Sequence, residues 1–203
     1  TTQFAVLLKF LTTVFGYFDG TNWHPLLDLG WPSLLQWCSF LSVVLGSFGA
    51  LRQKSLIRIL GYLLVSQIGC VYISFSVSDR FGMSASVIQL FSMVTIYFGC
   101  LFTIQELSPR EGQETLQIVR GVIWKRPFES IALIIFLVAA MGFPPTLGFF
   151  GRLYVLLPTV HSKAVYLSIA VLLGWVINAA VILRVIKIIL TPQNEAEPNN
   201  NLE

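Results

Sequence analysis

The chain has 203 residues, of which 55% are hydrophobic and only 11% are charged. A soluble domain carries about 25% charged residues, so this sequence cannot clothe a water-facing surface of its size, and lipid must cover it. The net charge of +3 comes from basic residues grouped at segment ends and not along one stripe, which excludes a nucleic-acid footprint.

Six apolar stretches are each near the roughly 20 residues a helix needs to cross a bilayer. They are continuous rather than alternating, which excludes a transmembrane barrel. The fold class expected is an all-α membrane protein. The first stretch, about 2–18, reads FAVLLKFLTTVFGYF over most of its length and holds Lys9 with no acidic neighbour. A lysine at bilayer depth costs about 2.5–3.5 kcal/mol on insertion scales and marks an ion or proton path. The second and third stretches are about 34–50 and 56–76. In the third, Tyr62, Ser66, Cys70 and Ser74 recur every four residues, with Gln67 adjacent. The fourth, about 84–103, places Gln89, Ser92, Thr95, Gly99 and Thr103 at a spacing of three or four. Such stripes most often serve helix packing and interhelical hydrogen bonds. Several of them together with Lys9 also outline a hydrated polar path.

Residues 109–126 are polar with Leu116, Ile118, Val119 and Val122 interleaved, the pattern of an interfacial amphipathic helix. The fifth stretch, about 128–157, is interrupted at 142–145 by Gly142, Phe143, Pro144 and Pro145. Two prolines in mid-span remove backbone donors and break a helix. A simple kink and a discontinuous helix of the transporter type both satisfy the pattern. The second predicts a break between Met141 and Thr146, with the loop enclosed in protein, because unsatisfied backbone groups in hydrocarbon cost several kcal/mol each. Arg152 follows the break within the same stretch; snorkelling and burial are both open to it. The sixth stretch, about 164–190, carries Trp175 and Asn178 one turn apart. Residues 191–203 form a polar tail, expected to be poorly ordered.

Charge orients the spans. Arg52, Lys54, Arg58, Arg110, Arg120, Lys125, Arg126, Arg184 and Lys187 fall on one side, and Arg80 and Lys163 on the other. The positive-inside rule puts the first set, and with it both termini, in the cytoplasm or the mitochondrial matrix. Cys38, Cys70 and Cys100 lie in separate apolar segments without ligand spacing. They read as buried thiols and not as a metal or cluster site.

Two blocks carry a family resemblance. Residues 131–156, IALIIFLVAAMGFPPTLGFFGRLYVL, resemble the S-x-x-G-I-P-P-x-x-G-F-x-x-K-x-x segment of the antiporter-like membrane subunits of respiratory complex I, its subunit 2 branch in particular. Residues 45–72, LGSFGALRQKSLIRILGYLLVSQIGCVY, resemble the same branch's L-G-x-x-x-A-x-x-Q-x-x-x-K-R-L-L-A-Y-S-S-I-x-H-x-G-Y. The closing ILRVIKII is similar to its Y-Y-L-R-x-x helix end, and FAVLLKFLT to its lysine-bearing helix. The resemblance implies two inverted repeats of five helices. This chain would hold the last helix of the first repeat and the second repeat, six spans in all. A second chain supplying the N-terminal half is then expected, with membrane lipid and neighbouring complex I subunits as further partners. The resemblance implies a proton path through Lys9, Arg152, Gln67, Tyr62 and Ser66, and a helix break at Gly142, Pro144 and Pro145. It implies no catalytic chemistry and no cofactor in this chain, with NADH, FMN, iron–sulfur clusters and ubiquinone in other subunits or interfaces. The membrane would be the mitochondrial inner membrane or a bacterial one. A cation/proton antiporter complex or membrane-bound hydrogenase keeps the fold in a different machine, and a non-pumping structural subunit is the third reading. Two departures stand out. The family's lysine after the prolines is Arg152 here, and its histidine is Gln67. Neither can hand on a proton at neutral pH, which leaves Lys9 as the titratable base of the path.

Overall fold

The computed structural model describes residues 16–18, 23–25, 31–76, 80–107, 120–161 and 165–192. Helices dominate: α1 (Trp31–Arg52), α2 (Leu56–Ser76), α3 (Arg80–Leu107), a single turn α4 (Val122–Lys125), α5 (Pro127–Met141), α6 (Leu147–His161) and α7 (Val165–Leu190). Leu34–Arg52, Leu56–Ser76, Phe81–Leu107 and Val165–Leu190 are long and apolar enough to cross a membrane. At 15 residues each, α5 and α6 are about 22 Å long and too short to cross singly. Large apolar side chains such as Phe91 and Phe98 point outward from α3, both more than two-thirds exposed. That is the surface a bilayer covers and water does not.

The first expected span, and with it Lys9, lies outside the described residues except for its last three. Gly16–Phe18 are not helical: they form β1, paired antiparallel with β2 (Trp23–Pro25), Tyr17 opposite His24. Tyr17, Phe18 and Trp23 favour strand, and the intervening sequence Asp19-Gly20-Thr21-Asn22 has hairpin-turn composition. Of the expected interfacial segment, the described part holds the turn α4, with Trp124 exposed. The tail beyond residue 192 lies outside the described residues.

Small residues set how closely the helices approach. On α1, a methyl at Gly46 would fall 2.6 Å from the Ser66 amide nitrogen, so α1 and α2 touch at backbone distance. On α7, a methyl at Gly174 would fall 2.6 Å from Val43 Cγ1 of α1. Arginines answer the carbonyls that helix C-termini leave unpaired. Arg184 Nη1 donates to Leu51 O at the end of α1 (2.9 Å), and Arg126 Nη1 to Glu106 O at the end of α3 (3.0 Å).

The buried apolar side chains divide into two clusters. One holds Ala50 of α1, Leu60 and Leu63 of α2, Ile96 and Cys100 of α3, Leu137 of α5 and Ile182 of α7. The other holds Val43 of α1, Cys70 and Ile73 of α2, Val155 of α6 and Leu167 and Val171 of α7. On α1, α2 and α7, buried polar residues fall in sequence between the two: Ser47, then Ser66 and Gln67, then Asn178. Gln89 of α3 and Arg152 of α6 join them. The core is thus an apolar slab, a polar layer near the mid-height of the helices, and a second apolar slab.

Candidate functional site

The polar layer is organised around the gap between α5 and α6. Gly142 ends α5 at φ 80, ψ 44, a left-handed conformation that glycine adopts without a Cβ penalty. Gly142 N–H donates to Ala139 O (3.0 Å) and Phe143 N–H to Val138 O (3.4 Å). The two bonds make a Schellman cap. Pro144 and Pro145, joined by a cis peptide, have no N–H to continue the helix. Thr146 N–H donates to Phe143 O (2.8 Å), its hydroxyl donates to the same oxygen (2.6 Å), and α6 begins.

The cap leaves the carbonyls of Ala140 and Met141. Both are answered from other helices. Arg152 Nη2, on α6, donates to Ala140 O at 2.5 Å, and Trp175 Nε1, on α7, donates to Met141 O at 2.8 Å. The guanidinium carbon lies 5.7 Å from the centroid of the Trp175 ring, within cation–π range. The last four carbonyls of α5 therefore all have partners. The positive charge of Arg152 sits at the negative end of the α5 dipole, the favourable pole for a cation.

Arg152 is 4% exposed. The only carboxylates among the described residues are Glu106 and Glu129, at the far ends of α3 and α5. What balances the buried cation is one carbonyl, a helix dipole and an indole face. Its Nη1 has no hydrogen-bond partner among the described residues, and neither do Asn178 Oδ1 and Gln89 Oε1. A cavity of about 10 Å³ lies between Gln67, Cys70, Arg152, Trp175 and Asn178, room for about one water molecule.

Two hydrogen-bonded strings lead away from this centre. Asn178 Nδ2 donates to Ser66 Oγ (3.0 Å), which pairs with Ser47 Oγ (3.0 Å), linking α7, α2 and α1. Gln89 Nε2 donates to Gln67 Oε1 (2.7 Å), linking α3 to α2. Ser92 Oγ donates to Leu147 O (2.9 Å), fixing the start of α6 on α3. Gly148 lies directly against the carbonyl of Ala139, so α6 begins alongside the end of α5 and not beyond it.

Of the residues predicted from sequence, Arg152, Gln67 and Ser66 are brought into the polar layer, and Gly142 borders it. Tyr62 stands apart. It is 40% exposed, and its ring occupies the space beside Gly49 of α1. Tyr62 shares the α1-facing side of α2 with Ser66, but it lies one turn nearer the start of α2, against Gly49 and away from the polar layer. Pro144 and Pro145 mark the gap but point outward. The loop was expected to be enclosed, yet Phe143, Pro144 and Pro145 are exposed on this chain. The reason is that little is left to enclose. The prolines carry no N–H, and those of Gly142, Phe143 and Thr146 are all bonded within the loop or to α5. Thr95 also faces outward and returns its hydroxyl to Phe91 O. The sequence put Gln89 on a polar stripe and Trp175 one turn from Asn178, but it singled out none of these, nor Ser47, as a proton-path residue. The available signal was that each is a polar or amphipathic residue inside an apolar helix.

Comparison with known proteins agrees with this architecture. The family described as NADH:quinone oxidoreductase/Mrp antiporter, transmembrane, matches residues 7–178. NADH-quinone oxidoreductase subunit N of Chlorobium chlorochromatii is 28% identical over 169 residues, covering 83% of this chain and 33% of that protein. NAD(P)H-quinone oxidoreductase subunit 2 of Gloeobacter violaceus is 28% identical over 190 residues, 94% of this chain and 35% of that protein. The chain thus spans about a third of the length of these curated relatives. In solved structures the fold recurs in respiratory complex I from Thermus thermophilus, with a TM-score of 0.70 at 23% identity over 82% of this chain and 39% of that one. The family match takes in the proline gap, Arg152 and every polar residue of the layer up to Asn178, and on that extent the chain belongs to the NADH:quinone oxidoreductase/Mrp antiporter transmembrane family.

Proposed function

We propose that this chain is part of a proton-translocating membrane-arm subunit of an NADH:quinone oxidoreductase, respiratory complex I, corresponding to a section of a subunit 2-type protein. The observation that carries the reading is Arg152, held in a polar layer between apolar slabs with no carboxylate partner among the described residues. A buried ionisable group at membrane depth is expensive and is kept where charge moves. In this reading Arg152 supplies a fixed positive charge, since a guanidinium stays protonated at neutral pH. Lys9, which can shed its proton, is the group that relays. Gln67, Ser66, Asn178 and Ser47 order the hydrogen bonds of the polar layer.

The finer architecture proposed is six spans, forming the end of one inverted repeat and the whole of the next. A second chain packing on the Lys9 span would supply the other helices, and neighbouring membrane-arm subunits would cover the exposed proline loop. NADH, FMN, iron–sulfur clusters and ubiquinone belong to other subunits in this scheme. The membrane is an energy-coupling one: the mitochondrial inner membrane with both termini on the matrix side, or a bacterial inner membrane. The bacterial relatives support the second.

The family also takes in Mrp antiporters, so a cation/proton antiporter complex is the alternative machine. Native purification separates the two: redox subunits travelling with this chain select complex I, and their absence selects the antiporter. Proton translocation per electron pair in vesicles then tests the role. Full translocation after Lys9→Met would leave a structural, non-pumping subunit.

A further inference from the structure

We infer that Trp175 is a positioning residue: its indole fastens α7 to the severed end of α5 and holds the Arg152 guanidinium over that end. The inference deepens the reading above, because it rests on Arg152 being the fixed charge of the polar layer.

Three contacts converge on one ring. The Trp175 N–H is spent on Met141 O at 2.8 Å. Its π-face lies 5.7 Å from the Arg152 guanidinium carbon. The Phe149 ring of α6 leans against it at 5.9 Å and 56°. Gly142 closes the space, since a methyl there would come within 3.0 Å of Trp175 Nε1 and 3.3 Å of Arg152 Cδ. Ala140 O is the single hydrogen-bond partner of the guanidinium among the described residues, and one bond does not fix a long side chain with about 2 kcal/mol of rotamer entropy. The indole supplies the second point. It favours the guanidinium over the end of α5, against the other direction open to it, the cavity beside Asn178. A phenyl ring at this position keeps a π-face but leaves Met141 O without its donor. A leucine removes both.

The position also accounts for the anchor being on α7. Asn178, one turn further along the same helix, holds Ser66 of α2. Any shift of α7 along its axis therefore moves the Arg152 anchor and the Asn178–Ser66 bond together. The location of the fixed charge and the order of the serine string are coupled through one helix.

The test uses the assembled complex in vesicles. Proton translocation per electron pair is measured for Trp175→Phe, Arg152→Leu and the double variant, with assembly followed by native gel. Trp175→Phe is expected to lower the ratio in the same direction as Arg152→Leu and by less. In the double variant the Trp175→Phe change should add nothing, since a residue acting through another has no effect once that other is gone. Additive losses would overturn the inference, because a merely structural tryptophan acts independently of Arg152. If Trp175→Phe does not assemble, the structure of the unmodified complex decides alone. A cryo-EM map of the unmodified complex is the independent arm. An indole stacked on Arg152 with its nitrogen on Met141 O is expected, and an indole turned away sinks the inference. If Arg152→Leu alone leaves the ratio unchanged, the proton-path reading fails, and the map still decides the anchor.

Discussion

Arg152 and Ala140 are twelve residues apart in the chain and 2.5 Å apart in space, guanidinium nitrogen to carbonyl oxygen, on opposite sides of an interrupted helix. The side chain reaches back to pair an oxygen that the interruption freed. In one contact the chain meets two requirements: a carbonyl without a helical partner gains a donor, and a cation with no carboxylate partner among the described residues gains an acceptor at the negative end of a helix.

Removing that contact is expected to show in stability before activity is considered. Arg152→Leu leaves Ala140 O buried and unpaired, which costs about 1–3 kcal/mol. Arg152→Lys retains the charge and one donor and loses the planar fork and the stacking on Trp175, so its loss should be the smaller. The melting temperature of the assembled complex, followed by native gel after a temperature series, checks the order. Equal stability of wild type and Arg152→Leu would show that the bond carries no weight.

Gly142 should tolerate no Cβ. Its φ of 80 costs an L-residue roughly 1–2 kcal/mol, and the new methyl would press on Trp175 and Arg152. Gly142→Ala is therefore expected to lower thermal stability and proton translocation together. Gly142→Asn meets the same crowding but tolerates the backbone better. The prediction fails if alanine and asparagine at this position are both indistinguishable from glycine.

Two other glycines give an opposed pair. Gly148 lies on the Ala139 carbonyl, a backbone group that cannot swing aside, so Gly148→Ala must push α6 away from α5. Gly61 of α2 has nothing within 4 Å of the space a methyl would fill. Gly61→Ala should be neutral or stabilising by up to about 1 kcal/mol through helix propensity. Parallel thermal inactivation of the two variants reads the contrast, and a reversed order would contradict the packing.

Lys9 is expected to act by changing its charge state. Lys9→Met should strongly reduce translocation while assembly survives, because an apolar side chain suits the span. Lys9→Arg should also fail, since arginine keeps its proton. Proton uptake and release in vesicles of the whole complex, at equal rates of electron transfer, decides it. Pumping retained in Lys9→Arg would mean that charge alone, and not its exchange, is required.

The apolar helices were legible because a continuous apolar run of bilayer length suits little besides a helix in lipid, and the proline pair marked the gap by removing its own donors. What sequence could not supply was rotation and depth. Tyr62 and Ser66 share a four-residue spacing, yet one turn of helix carries Tyr62 out to 40% exposure while Ser66 is fully buried. Thr95 and Gln89 share a stripe, and they too part, one outward and one inward. Trp175 was visible one turn from Asn178, but the use of its N–H depends on where Met141 arrives, a neighbour 34 residues away. The strand at Gly16–Phe18 was hidden for a different reason: its aromatic residues are as apolar as the helix expected there.

The layered core has an electrical consequence. Apolar slabs on either side make the polar layer resemble a polarisable sheet between two insulators, near the mid-height of the helices. A unit charge crossing the whole membrane exchanges about 2.3 kcal/mol per 100 mV with the potential. A charge passing between either surface and this sheet would exchange about half of that, and one moving sideways within it almost nothing. On the proposed proton path, a transfer along Asn178, Ser66 and Ser47 would therefore be blind to voltage, and the voltage dependence would belong to the steps that breach a slab.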